Sequence, residues 1–164
     1  MLEPRQFRMA EVLRPMQTSF DIETRGQGLY EFTGQVARWL KEAGAGDGLL
    51  TLFIRHTSAS LLIQENADPD VQRDLLAYFS RLVPPSDDPA MGYLRHTMEG
   101  PDDMPAHIKA ALTATSLTIP VDKGRMVLGT WQGIYLFEHR SRPHRREVVV
   151  QAMGTEAGNP VRNS

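Results

Sequence analysis

Cysteine is absent from the 164 residues, so disulfides and thiolate zinc sites are excluded and nothing points to an oxidising compartment. Long apolar runs are also missing: none reaches the ~18 residues of a spanning helix, and the opening MLEPRQFRMAEVLR lacks the continuous apolar core of a signal peptide. There is no excess of positive charge either. With a net charge of −2, a pI near 6.2 and no basic run longer than Arg145-Arg146, nucleic acid is not an expected partner. No G-x-S-x-G elbow, P-loop or G-x-G-x-x-G pattern occurs, which removes the usual serine-hydrolase and nucleotide-cradle readings. The expectation is one cytoplasmic domain with no membrane partner.

What is there centres on Ser116 to Glu138, SLTIPVDKGRMVLGTWQGIYLFE. Leu117, Ile119 and Val121 recur at every second position, and Ile134, Leu136 and Glu138 repeat the alternation, so each arm reads as a half-buried strand, the second ending in a carboxylate. Gly129 and Gly133 bracket Trp131 and Gln132, which predicts a close backbone approach. Taken alone, the stretch is a tight β-corner with Trp131 in the core.

In chain order, residues 1–16 read as an extension, 17–153 as the domain and 154–164 as a loose tail. Strands are expected at Gln17–Thr24 and Leu29–Phe32, joined by a hairpin-like turn at Arg25-Gly26-Gln27-Gly28. A helix capped by Thr33 carries Val36, Trp39 and Leu40 and stops at Gly44, followed by a flexible Ala45–Gly48. Further strands fall at Leu49–Arg55, Leu61–Gln64 and Val148–Val150. Asp68 as cap and Pro69 in the first turn start a second helix, with Val71, Leu75, Tyr78, Phe79 and Leu82 as its buried stripe. Asp102 or Asp103 caps a third, Met104–Leu112, facing the core through Ile108, Ala111 and Leu112. The fold class is α+β, an antiparallel β-sandwich with about three inserted helices.

The residues that could carry chemistry stand where elements begin or end. The two-residue period puts His56 on the inward face of Leu50, Leu52 and Ile54, His96 lies in a loop and His107 in a helix first turn. Three neutral imidazoles, or two with a carboxylate such as Glu138, suit a divalent metal with an open position; the spacing fits no compact ligand motif, so satisfied core or surface histidines are the alternative. His139 and His144 read as solvated. The hydroxyls of Thr57, Ser58 and Ser60 and the backbone N–H groups of the turn could hold a phosphate with Arg140 or Lys123 supplying charge, or could simply form a Ser/Thr turn.

The strings HTSASLLIQENADPDV, YLRHTMEGPDDMPAHIK and SLTIPVDKGRMVLGTWQGIYLFEHR, with the charged close before VVV, resemble the YjbQ family, the secondary thiamine-phosphate synthase-like proteins. The resemblance runs from about Gln17 to the last strand. It implies an α+β sandwich assembling as a homotrimer, a divalent metal site (zinc or magnesium) and a weak thiamine-phosphate synthase activity that couples a hydroxymethylpyrimidine diphosphate to a thiazole phosphate and expels diphosphate. The substrate is then a small phosphorylated heterocycle. It also implies His56, His96 and His107 as metal ligands, with Asp103 and Glu138 completing the catalytic set; Thr57, Ser58 and Arg140 are expected to face the ligand on their own chemistry, two hydroxyls and a cation suited to phosphate charge. The chain departs from relatives at Thr113-Ala114-Thr115-Ser116, where Leu-Gly-Thr-Ser is frequent, and at Ser141-Arg142-Pro143, which replaces a glycine-containing loop and could alter the rim of the site. The principal thiamine-phosphate synthases are TIM barrels of ~250 residues, which this chain is too short to form. The alternative to an enzyme is a non-catalytic trimer that binds a metal or small phosphorylated ligand.

Overall fold

Alternating apolar and polar residues build two antiparallel sheets that share one core. The computed structural model describes residues 12–158. One sheet runs in the order β1 (Arg14–Glu23), β8 (Arg145–Glu156), β3 (Ala45–Ile54), β5 (Ser116–Asp122), β6 (Arg125–Met126); the other runs β2 (Gly28–Glu31), β7 (Gln132–Glu138), β4 (Ala59–Glu65). The helices are α1 (Thr33–Glu42), α2 (Pro69–Leu82) and α3 (Asp103–Leu112), which gives the expected α+β sandwich. Of the expected extension and tail, residues 1–11 and 159–164 lie outside the described residues, while Arg14 already opens β1 and β8 continues to Glu156.

Every second residue of β3, β8, β7 and β4 enters the core: Leu50, Leu52 and Ile54, Val148 and Val150, Ile134 and Leu136, with Leu61 opposite and Val36 and Leu40 of α1 closing one side. Each such side chain contributes roughly 1.5–3 kcal/mol by leaving water. The strand β7 is buried on both faces, because Tyr135 and Phe137 point outward beneath α2. Phe79 meets Phe137 edge to face at 5.2 Å, and the Gln72 amide donates to the Tyr135 hydroxyl at 3.2 Å.

Several local expectations are corrected. Arg25–Gly28 is no hairpin: β1 pairs with β8 and β2 with β7, so the turn carries the chain from one sheet to the other. Ala45–Gly48 is the start of β3, not a flexible loop; a Cβ at Gly48 would run into the Met153 carbonyl, so glycine is what lets the strands meet. Trp131 is 62% exposed, because Gly129–Gln132 is an outward turn closed by the Gln132 N–H donating to the Gly129 carbonyl at 3.1 Å. At Gly133 a Cβ would lie 2.6 Å from Glu31 Oε2 and 3.2 Å from Asn66 Cβ, and at Gly129 it would meet the Gln132 side chain, so these glycines make room for side chains and not for the close backbone approach expected. Thr33 sits inside α1, which is capped at Phe32, and its hydroxyl accepts the Ile134 N–H at 2.8 Å. In α2 the Asp68 cap is present, yet Tyr78 and Leu82 are exposed, because the helix leans on one sheet face only. In α3 the buried side is Ala106, Lys109 and Ala110, not Ala111 and Leu112; the two alanines let the helix approach β4.

Candidate functional site

Three inward-facing strand rows stop being apolar at the same end of the sandwich. In β7 the row Ile134, Leu136 ends in Glu138; in β8 the row Val150, Val148 ends in Arg146; beyond β3 the row Leu52, Ile54 reaches His56. Glu138 is 0% and Arg146 4% exposed, and they form a bidentate pair, Nε to Oε1 at 3.0 Å and Nη2 to Oε2 at 2.6 Å. Thr24 donates its hydroxyl to Glu138 Oε1 at 2.7 Å, and Arg146 Nη2 also donates to Ser58 Oγ at 2.9 Å. The expected ligand-facing hydroxyl of Ser58 is thus turned into this pair.

His56 belongs to the same group. Its Nε2 accepts the Glu147 N–H at 2.8 Å, so a neutral ring carries its proton on Nδ1, which stands 3.5 Å from Arg146 Nη1. Burial, then the Arg146 charge, lowers its pKa. Neither nitrogen presents a free lone pair, and the expected metal ligand is instead a brace between β8 and the loop after β3.

The other two histidines converge on a carboxylate. Asp103, 2% exposed at the start of α3, lies 2.8 Å through Oδ2 from His96 Nε2 and 3.4 Å from His107 Nε2. One ligand atom from each of these residues falls within 4.8 Å of the others. His107 sits one helical turn beyond Asp103, which puts both on one face. Its Nδ1 is 2.8 Å from the Thr57 carbonyl, an acceptor only, so the proton is on Nδ1 and the Nε2 lone pair faces the cluster. Thr57 therefore contributes its backbone, not its hydroxyl. Burial would raise the Asp103 pKa, but its side-chain partners Glu99 and His96 and the charges of Arg140 and His107 outweigh it and hold the carboxyl below the usual range. Two imidazoles and one carboxylate, one imidazole fixed through its far nitrogen, are a fitting donor set for zinc or another divalent ion with open positions.

Arg140 lies behind this cluster rather than in it. Its Nη1 donates to Asp103 Oδ1 at 2.7 Å, Nε to Asp102 Oδ2 at 3.0 Å and Nη2 to the Glu99 carbonyl at 3.3 Å. It positions the carboxylate instead of reaching outward. The Ser141 N–H adds a bond to Asp102 Oδ2 at 2.8 Å, so the Ser141-Arg142-Pro143 loop is anchored beside the site.

His139, expected to be solvated, is 1% exposed; it hydrogen-bonds Ser60 at 2.9 Å and packs tilted against Phe137 with centroids 4.3 Å apart. Burial, with the Lys109 and Arg146 charges, drives its pKa to about 3. His144 is half-buried, with Nδ1 2.8 Å from the Arg142 carbonyl and 3.6 Å from Glu138 Oε1. Sequence reasoning gave Arg146 and Lys109 no role and took Asp102 only as a possible helix cap, a position it occupies without a side-chain cap bond. Arg146 was detectable, since the period of Val148 and Val150 extends back to it; Asp102 and Lys109 carry no signal before α3 is docked.

A family model described as UPF0047 protein YjbQ-like matches residues 18–155. A UPF0047 protein of Synechocystis sp. is 51% identical over 145 residues, covering 88% of this chain and 96% of its own length. The YjbQ protein of Escherichia coli O157:H7 is 40% identical over 84% of this chain and 97% of its own. Among solved structures, a conserved hypothetical protein of Thermus thermophilus superposes with a TM-score of 0.70 at 34% identity, covering 81% of this chain and 97% of that one.

Proposed function

Because the chain belongs to the UPF0047 YjbQ-like family, we propose that it is a metal-assisted enzyme with weak thiamine-phosphate synthase activity, coupling hydroxymethylpyrimidine diphosphate to thiazole phosphate. The observation that carries this reading is the His96–Asp103–His107 cluster, in which the Thr57 carbonyl holds the His107 lone pair toward Asp103. In the coupling, the thiazole nitrogen forms a bond to the pyrimidine methylene while the methylene–oxygen bond breaks and its electron pair leaves with diphosphate. A divalent ion held by His96, Asp103 and His107 would offset the charge that gathers on that diphosphate. The chain's own part is positional. Arg140 fixes the Asp103 carboxylate and Thr57 fixes the His107 tautomer, while His96, exposed by about half, leaves the cluster open to a phosphorylated ligand.

Assembly as a homotrimer is part of the proposal. The outward face of β7 is covered by α2, but Leu49, Phe53 and Met153 on the outer face of the larger sheet are 52%, 49% and 42% exposed. A neighbouring copy is the covering surface proposed for them.

The second reading, a non-catalytic trimer binding a metal or small phosphorylated ligand, is favoured by one observation: Arg140 and Ser58 spend their donors inside the protein. Metal analysis of purified protein, followed by the coupling assay with and without chelation, separates the two. The enzyme reading expects bound metal and coupling lost on chelation and in a folded His107→Ala. Coupling unaffected by exhaustive chelation would overturn it, and metal without coupling moves the binding reading ahead.

A further inference from the structure

On α3, beyond His107, a lysine is buried against a cavity. Lys109 is 6% exposed. Apart from the helical ladder, it enters the hydrogen bonds and ion pairs of the described residues only through its carbonyl, which accepts from Thr113 Oγ1 at 2.8 Å. Its ammonium has no partner there. Asp102 lies near enough to act on it, but the Asp102 carboxylate is already held by Arg140 at 3.0 Å and by the Ser141 N–H at 2.8 Å. Every fully buried side-chain nitrogen and oxygen among the described residues has a partner, so the Lys109 ammonium is not sealed from solvent, and a cation left unpaired in so confined a place favours a bound anion.

The cavity Lys109 lines measures about 150 Å³. Val83, Pro85, Pro101 and Pro105 form an apolar wall, and Ser80 adds a hydroxyl. Prolines have fixed φ and offer no N–H, so that wall is stiff and supplies no donor to compete with the ammonium. Drug-sized sites span roughly 300–1,000 Å³, so this one suits only a small molecule. A second negative charge would meet Asp102, which stands on the same wall.

We propose that this cavity binds a small organic monocarboxylate, of acetate to pyruvate size, with its carboxylate on Lys109 Nζ and its short apolar end against Val83 and the prolines. His96, Asp103 and His107 do not line the cavity, so binding there is read separately from metal uptake and coupling.

The test is a methyl-NMR titration at fixed pH and matched ionic strength with acetate, propionate, phosphate and chloride. Acetate and propionate should shift the Val83 methyl signals saturably. In Lys109→Met their apparent Kd should rise about 10- to 100-fold, the loss of one charge-assisted hydrogen bond. If Lys109→Met does not fold, lysine-labelled wild type reports the same event as a saturable shift of the Lys109 ε-methylene. The proposal is overturned if Val83 and Lys109 stay unmoved by carboxylates, if Lys109→Met binds them as the wild type does, or if phosphate binds more tightly than acetate in a Lys109-dependent way.

Discussion

Glu138 and Arg146 meet at 2.6 Å inside the sandwich, one from each sheet, and close the core at the end where its apolar rows run out. Glu138 is the acid that the GTWQ-centred strand delivers, yet both of its oxygens are bonded to Arg146. Its role follows from that commitment. Replacing one partner leaves the other buried and uncompensated, so Glu138→Ala should cost about 3–5 kcal/mol in urea unfolding, whereas the double change Glu138→Leu with Arg146→Met should cost clearly less. Equal losses in the single and double variants would contradict this role.

Metal uptake should depend on the α3 cluster and not on His56. His107→Ala and Asp103→Ala are expected to lose a divalent ion measured by elemental analysis, while folded His56→Phe keeps it, since His56 Nε2 is occupied by the Glu147 N–H. Binding must displace the proton that joins His96 to Asp103, so affinity should fall as pH is lowered. Loss of metal in His56→Phe, with its fold intact, would return His56 to the ligand set.

Acid should destabilise the protein from near neutrality. His139 titrates at about 3 in the folded chain against 6.5 ordinarily, so below pH 6.5 the unfolded state binds the proton first. Stability is therefore complete above that pH and is lost progressively down to about 3, by on the order of 5 kcal/mol at 1.36 kcal/mol per pH unit. The lowered His56 adds in the same direction. His139→Phe should flatten the slope of unfolding free energy between about pH 6.5 and 4, and an unchanged slope would rule His139 out as its source.

Ser60→Ala tests the same pair from the other side. Both residues are buried, and the change strands a His139 nitrogen; a cost of about 1–3 kcal/mol is expected in thermal or denaturant unfolding, with metal content unaltered. A variant as stable as the parent would mean that the hydroxyl is dispensable.

The outer face of the larger sheet should be the contact between copies. Light scattering at micromolar concentration is expected to give a trimer for the parent and a monomer for Phe53→Asp, which places a charge on the exposed β3 row. A monomeric parent would exclude the assembly.

The sequence by itself determined what depends on neighbours along the chain. The two-residue period of Leu50, Leu52 and Ile54 marks a core face, and Asp68-Pro69 starts α2 because a cap and a preset φ act within one turn. The Asp103–His107 pair was legible for the same reason, four residues on a helix being one face. What only the tertiary structure decided are relations across long separations. Whether Arg25–Gly28 turns within a sheet or crosses between sheets depends on β8, more than a hundred residues later, having claimed the edge of β1. The same holds for the charged ends of the rows. A carboxylate at the end of a strand reads as a site residue until the opposing sheet is seen to present Arg146, and His56, with the same inward period, becomes a brace because β8 places the Glu147 N–H against its ring. Local sequence sets which face a side chain occupies; the docking of the second sheet sets what it meets there, and the chemistry of Glu138, His56 and Lys109 is decided by that meeting.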